Sequence, residues 1–201
     1  MVAFVSQTAP DFTATAVMPD GSIDENFNLS ESTKDQYKVL FFYPLDFTFV
    51  CPSELVALDK RMDAFKEKNT QVIALSIDSE HTHCAWRRTP LNEGGIGPVK
   101  YTMVSDKKHE ICRAYGIEHP QKGVALRGAF VMDKEMTIRS AIINDLPIGR
   151  NIDEILRVID AIQFHEAHGQ VCPAGWQTGQ SGMVADHSGV KKFLSQNEEA
   201  L

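Results

Sequence analysis

The chain has 201 residues, of which 43% are hydrophobic and 23% charged, a composition that is ordinary for one globular domain. Its formal net charge of -7 argues against nucleic acid or an anionic membrane as the main partner. No apolar stretch approaches the length of a membrane span, and residues 1–33 contain no Lys or Arg, so the sequence predicts a cytoplasmic protein without a targeting signal.

The first half of the chain alternates between strand and helix patterns. In order, it predicts an extended segment from Pro10, a turn over 19–22, a helical turn within 29–36, a central strand over 38–43, a helix over 53–68, an apolar strand over 71–77, and a helix over 79–88 capped by Ser79. A strand–helix–strand unit of this kind is a right-handed parallel crossover. We therefore expect at least two parallel strands in the sheet.

The second half predicts a hairpin and a long helix. In order, it predicts a loop over 92–98, a strand over 101–104, a helix over 107–114 and a hairpin of 127–132 with 136–143. A long helix then begins at a capping box of Asn151 and Glu154 and ends near His168. An arm with a last helix over 188–194 follows it. The order resembles the thioredoxin fold, an α/β fold with a mixed central sheet flanked by helices. We expect an N-terminal extension, a core over 1–168, and a C-terminal arm over 169–201 within the same structural unit.

Cys51 lies where the central strand gives way to a helix. Pro52 suits the first position of a helix, where its missing N–H has no partner to lose, so Cys51 falls at the N-cap or in the first turn. Free N–H groups and the helix dipole at that end stabilise an anion, and the thiolate is the reactive form of cysteine. The alternative is a buried structural cysteine. The four cysteines are dispersed without a C-x-x-C pair, which disfavours a zinc ribbon or a thioredoxin-type redox motif.

Two motifs carry a resemblance to a known family. Pro44, Thr48 and Cys51 form P-x-x-x-T-x-x-C within F-Y-P-L-D-F-T-F-V-C-P-S-E, which resembles the active site of the peroxiredoxins. The later run H-G-Q-V-C-P-A-G-W, which contains Cys172, resembles the resolving-cysteine segment of the typical two-cysteine subfamily. The resemblance covers residues 9–176. It implies a thiol-dependent peroxidase that reduces hydrogen peroxide and small alkyl hydroperoxides without a cofactor or metal.

The same resemblance assigns roles around Cys51, the peroxidatic nucleophile that becomes a sulfenic acid. Thr48 would bond to the thiolate and the incoming peroxide, Pro44 would shield the pocket, and Arg127 would reach over the sulfur. Without the resemblance, Thr48 is a turn residue, Pro44 ends a strand, and Arg127 lies at the surface. Glu54 and Arg150 match the family's supporting pair, although Glu54 alone would be a first-turn carboxylate that stabilises the helix dipole.

Cys172 matches the family's resolving cysteine. It lies in a Gly-rich arm, and from the residues alone it could be a spare surface thiol. The sequence leaves open whether it meets Cys51 of its own chain or of another. The family implies the partner chain, hence a head-to-tail homodimer that assembles into a decamer, and a thioredoxin-like or flavoprotein reductase that restores both thiols. The first turn that carries Cys51 would have to unwind for the sulfurs to meet.

The remaining marked residues suggest supporting roles. Cys84 and Cys112 are expected to pack in the interior, as are Trp86 and Trp176, and the spacing of His81, His83 and Cys84 fits no standard metal site.

A glycine-rich loop resembles a family feature that is tied to oxidation sensitivity. The loop is Gly94-Gly95-Ile96-Gly97, and its usual companion, a Tyr-Phe pair in the last helix, is Phe193-Leu194 here. We therefore do not predict rescue from over-oxidation. Two alternatives to a peroxidase are a holdase chaperone built from higher oligomers and a redox relay that oxidises a partner protein.

Overall fold

A computed structural model describes residues 4–198. The strands are β1 (Thr13–Val17), β2 (Ile23–Asn28), β3 (Tyr37–Phe42), β4 (Thr70–Ser76), β5 (Thr102–Ser105), β6 (Arg127–Met132) and β7 (Ile138–Asn144). The helices are α1 (Leu29–Ser32), α2 (Cys51–Asp59), α3 (Met62–Glu67), α4 (Glu80–Arg88), α5 (Glu110–Ala114), α6 (Ile152–His168) and α7 (His187–Asn197), with a 3-10 turn at Leu91–Glu93.

The described strands form one sheet in the order β2-β1-β5-β4-β3-β6-β7. β4 pairs in parallel with β3 and β5, and the remaining neighbours are antiparallel. The mixed sheet, the parallel crossover and the β6–β7 hairpin are thus confirmed. Every residue of β3 is buried, which explains why that strand shows a continuous apolar run instead of an alternating one.

The turn over 19–22 is confirmed, and it is followed by a strand that the sequence pattern did not predict. The Met18 N–H donates to the Ser22 carbonyl, and Gly21 has a φ of +88°, a conformation that glycine adopts without strain. β1 and β2 pair on either side of this turn. β2 reads I-D-E-N-F-N and is half exposed, so its pairing with β1 forms the strand despite a weak local pattern.

The helix predicted over 53–68 begins earlier and is divided in two. It begins at Cys51, which confirms that Cys51 lies in the first turn. The prediction of one continuous helix is wrong, because the helix is interrupted between Asp59 and Met62. The Arg61 N–H bonds to the Leu58 carbonyl three residues back, and Arg61 has non-helical angles (φ −108°, ψ 6°). At its start, α2 follows Val50 without a side-chain cap.

The ends of other helices also differ from the prediction. α5 begins at Glu110 instead of residue 107, and the Asp106 carboxylate accepts from the N–H groups of Ile111 and Cys112. α7 extends to Asn197, with Asp186 as its N-cap in place of a start at residue 188. α6 begins directly after Asn151, and the predicted capping box remains a prediction.

The chain divides into two compact units, the first ending at Ile152 and the second beginning at Asp153. The first contains the sheet and a core in which the rings of Phe42, Tyr115 and Phe130 lie 5.0–5.8 Å apart. The second contains α7 and most of α6. Among the described residues, no helix has the length and apolar character needed to cross a membrane.

Candidate active site

Cys51 is the first residue of α2 and is fully buried (0% exposed). Arg127 is the first residue of β6, which runs antiparallel to β3, so its side chain starts near the end of β3 where the chain turns toward Cys51. The Arg127 Nη1 lies 3.4 Å from the Cys51 Sγ. Strand pairing thus places a guanidinium beside the sulfur, and Arg127 is buried instead of lying at the surface.

Glu54 joins the two arginines that were predicted to surround the site. Its position three residues after Cys51 places both side chains on one face of α2. Its Oε2 accepts from Arg127 Nη1 at 2.6 Å, and its Oε1 accepts from the Arg150 Nε at 2.9 Å and the Arg150 N–H at 2.8 Å. All three residues are buried, so loss of the carboxylate would leave two desolvated cations without their counter-ion.

Arg150 joins this cluster to β3 and β6. Its guanidinium carbon lies 3.4 Å from the centroid of the Phe41 ring, and its Nη1 donates to the Gly128 carbonyl at 2.7 Å. Burial lowers the pKa of the Arg150 guanidinium, and the hydrogen bond with Glu54 opposes that shift. Because an arginine stays charged in proteins, the cluster brings two cations and one carboxylate to the Cys51 pocket.

Pro44 and Thr48 lie on the loop between β3 and α2. Pro44 is buried, and the Thr48 hydroxyl donates to the Leu45 carbonyl at 2.8 Å. A hydroxyl has one proton, so in this conformation Thr48 offers lone pairs, not a donor, to any ligand. The local turn bond weighed for Thr48 is present and leaves the hydroxyl no proton for the predicted bond to the Cys51 thiolate in this conformation. The contact of Thr48 with the peroxide remains a prediction.

Cys172 lies in the second unit. It is half-buried, and its Sγ donates to the Ala161 carbonyl at 3.5 Å. The neighbouring Val171 forms a two-way backbone bridge with Met183, and Trp176 packs on Phe164 at 4.8 Å. Burial raises the pKa of the Cys172 thiol, and the charge of Arg157 opposes the shift. The segment that carries Cys172 is therefore tied to α6 within this unit.

The other two cysteines differ in burial. Cys112 is buried as predicted, and desolvation followed by the nearby Asp106 raises the pKa of its thiol to about 12. Such a thiol stays protonated and is a poor nucleophile. Cys84 is only half-buried, so its predicted place in the interior is wrong in degree. The predicted packing of Trp86 and Trp176 is confirmed, since both are buried.

A second cluster of ligand-type side chains lies around Cys112 and was missed from the sequence. Ligand atoms of His109, Cys112 and Glu118 lie within 4.8 Å of one another. However, Arg113 holds Glu118 with two hydrogen bonds of 2.8 and 3.0 Å, and His109 lies 2.8 Å from the same carboxylate. These contacts satisfy the carboxylate, so we assign no metal to this cluster.

The sequence spacing of His83 fits no standard metal site, and in the structure the partner of His83 is a carboxylate. Its Nδ1 lies 2.7 Å from the Asp46 Oδ2, and neither side chain is exposed. Tyr43 donates to the other Asp46 oxygen, whereas His81 is exposed and pairs with Glu80 at 3.6 Å. Asp46 and His83 lie on different elements, so sequence spacing gave no signal for this pair.

The mixed sheet, the buried thiol at the start of a helix and the adjacent arginine define a thiol-based redox protein. The model of the AhpC/TSA family matches residues 5–141, and that of the C-terminal domain of 1-Cys peroxiredoxin matches residues 161–196. The chain belongs to the AhpC/TSA family, and its thioredoxin-like fold and the resemblance to two-cysteine peroxiredoxins are confirmed.

Similar proteins agree over nearly the whole chain. Alkyl hydroperoxide reductase C of Buchnera aphidicola subsp. Baizongia pistaciae is 52% identical over 94% of this chain and 96% of its own. The reduced 2-Cys peroxiredoxin of Plasmodium vivax is 46% identical, covers 96% of this chain and 100% of its own, and superposes with a TM-score of 0.93. Prx1a of Plasmodium yoelii is 48% identical, covers 85% of this chain and 98% of its own, and superposes with a TM-score of 0.75. When modified at its N-terminus, that protein forms an artifactual octamer.

Proposed function

We propose that this chain is a thiol-dependent hydroperoxide reductase whose nucleophile is Cys51. The observation that supports this assignment best is the 3.4 Å contact between Arg127 Nη1 and Cys51 Sγ at the start of α2. The helix terminus and the guanidinium both stabilise a thiolate and any negative charge that develops beside it. Family membership supports the same activity, and the residue roles are our own assignment.

In the first step, the Cys51 thiolate attacks one oxygen of the peroxide. An S–O bond forms as the O–O bond breaks, so Cys51 is oxidised to a sulfenic acid and the peroxide is reduced by two electrons. The departing hydroxide or alkoxide takes up a proton and leaves as water or alcohol. Arg127, held by Glu54, stabilises the leaving oxygen, Thr48 accepts from the peroxide O–H, and Pro44 keeps water out.

In the second step, the Cys172 thiolate attacks the sulfenic sulfur, and a disulfide forms as hydroxide leaves. We assign Cys172 to the partner chain of a head-to-tail homodimer, with dimers joining into a decamer, as the family resemblance implies. A thioredoxin-like or flavoprotein reductase then returns both thiols by exchange. Because such a cycle needs a reducing environment, we place the enzyme in the cytoplasm.

Peroxide consumption with a supplied reductant tests the function directly. We expect the purified chain to consume hydrogen peroxide and a small alkyl hydroperoxide catalytically when dithiothreitol restores the thiols. A holdase chaperone would suppress aggregation of a client protein without turnover, and a redox relay would turn over only with its protein partner. If the chain turned over neither hydrogen peroxide nor the alkyl hydroperoxide, the proposed function would be refuted.

Replacement of Cys172 with Ser should separate the two steps. We expect one equivalent of peroxide to convert Cys51 to a sulfenic acid, detectable with dimedone, without the Cys51–Cys172 dimer band on a non-reducing gel. A persisting band in the variant would contradict this role, and adding Cys84→Ser and Cys112→Ser excludes pairing through those thiols.

In the wild type, formation of the Cys51–Cys172 dimer band should accelerate as pH rises. Burial raises the pKa of the Cys172 thiol, so the attacking thiolate becomes more abundant at higher pH.

A further inference from the structure

A buried polar network lies beneath the loop that carries Pro44 and Thr48. We call Tyr43, Asp46 and His83 the Asp46 network. The Asp46 Oδ1 accepts from the Tyr43 hydroxyl at 2.7 Å, and its Oδ2 lies 2.7 Å from the His83 Nδ1. The side chains of Asp46 and His83 are fully buried. Buried polar groups that are satisfied in this way fix a single local conformation.

His83 is itself held from both sides. Its Nε2 lies 3.3 Å from the Val104 carbonyl at the end of β5, while its Nδ1 faces Asp46. Both ring nitrogens therefore lie within hydrogen-bond distance of an oxygen, which fixes the orientation of the ring. The network thereby links α4 and β5 to the loop between β3 and α2.

The peptide unit between Leu45 and Asp46 is held at both of its polar ends. Its N–H, on Asp46, donates to the Asp78 Oδ2 at 2.8 Å, and the Ser76 hydroxyl holds that same oxygen at 2.7 Å. Its carbonyl, on Leu45, accepts from the Thr48 hydroxyl at 2.8 Å. The orientation of the Thr48 hydroxyl thus depends on a peptide plane that Asp78 holds through the Asp46 N–H. The buried Asp46 carboxylate, bonded to Tyr43 and His83, anchors the Cα atom at one end of that plane.

We propose that the Asp46 network positions Thr48 for the peroxide reaction by fixing the carbonyl to which the Thr48 hydroxyl donates. With its proton committed to Leu45, the hydroxyl presents lone pairs to the peroxide O–H as Cys51 attacks. This inference rests on the proposed function. Tyr43, Asp46 and His83 are positioning residues that act through Thr48, and in the described residues no hydrogen bond joins them to Cys51.

Two rates measured on Cys51 test this proposal. Oxidation by hydrogen peroxide needs Thr48 in place, whereas alkylation by iodoacetamide needs the thiolate but offers no O–H to Thr48. Because small misplacements of a positioning group slow reactions strongly, we expect Asp46→Ala to slow oxidation about tenfold. Alkylation of Cys51, followed by peptide mass analysis, should change less than about twofold.

A double variant shows whether the effect passes through Thr48. In a Thr48→Val chain, adding Asp46→Ala should slow oxidation by less than about twofold, because the group that Asp46 positions is already absent. Multiplied losses in the double variant, equal losses of oxidation and alkylation, or no loss with Asp46→Ala would each overturn the proposal. A wild-type chain that does not react with peroxide would instead refute the proposed function, so the two failures are distinct.

A milder variant decides the matter if Asp46→Ala does not fold. Tyr43→Phe removes one hydroxyl from the network and should slow oxidation about threefold without changing alkylation. Tyr115→Phe is the matched control, because that tyrosine is buried and donates to the Pro10 carbonyl away from the site. Unchanged oxidation in Tyr43→Phe, or equal slowing in Tyr115→Phe, would overturn the positioning role.

Discussion

Replacement of Cys51 with Ser should abolish peroxide turnover, with the rate falling to that of the buffer with reductant alone. A serine oxygen cannot accept the transferred peroxide oxygen as sulfur does, and its hydroxyl remains protonated at neutral pH. The substitution keeps the size of the side chain, so the contacts among Glu54, Arg127 and Arg150 should persist. A colorimetric assay that follows the loss of peroxide makes this measurement.

The matched control for this variant is Cys84→Ser. Cys84 is also a free cysteine, but it lies on α4 and is half-buried instead of sitting in the Cys51 pocket. We expect it to retain turnover within about twofold of the wild type. Full peroxidase activity in Cys51→Ser would show that another thiol is the nucleophile and would remove the basis for the site assignment.

Replacement of Arg127 with Lys should slow oxidation of Cys51 by about 100-fold, the usual loss when one donor to developing charge is removed. Arg127 uses its fork for three contacts at once: the Leu146 carbonyl at 2.6 Å, the Glu54 carboxylate at 2.6 Å and the Cys51 sulfur at 3.4 Å. A lysine keeps the charge but cannot span these acceptors with one ammonium group. Stopped-flow oxidation under single-turnover conditions measures this step without the reductase.

Arg113→Lys is the control for that substitution. Arg113 also forms a two-bond ion pair, with Glu118, but its side chain is 59% exposed and lies outside the Cys51 site. We expect no measurable change in the oxidation rate. If Arg127→Lys oxidised as fast as the wild type, the guanidinium geometry would be irrelevant to the reaction, and the proposed stabilisation of the leaving oxygen would be wrong.

Local sequence signals predicted the elements that position the site. The apolar run of β3 and Pro52 after Cys51 placed the thiol in the first turn of a helix, as observed. By contrast, the break between α2 and α3 was missed because Leu58 and Met62 continue one amphipathic pattern across it. A periodic pattern records which side chains face inward, but it does not record whether the backbone stays helical between them.

Contacts between distant elements were predicted only through the family resemblance. Nothing local marks Arg127 as buried, and its place beside Cys51 follows from the antiparallel pairing of β6 with β3. The pairing of Asp46 with His83 was missed altogether, because it joins a loop to α4 and matches no spacing rule. Strand β2 was missed for a related reason, since its pairing with β1 outweighs its weak pattern.

The two ends of α2 are restrained unequally, which gives the helix a gradient of local stability. Its start has no side-chain cap, and there the Ser53 hydroxyl and the N–H groups of Ser53 and Glu54 all bond to the single Val50 carbonyl. Its other end is fastened by the Tyr101 hydroxyl on the Leu55 carbonyl and by the Lys100 N–H on Asp59. Glu54 lies between these parts, so we expect that unwinding of residues 51–53 alone would release the Cys51 sulfur and leave the Glu54 carboxylate bonded to Arg127 and Arg150.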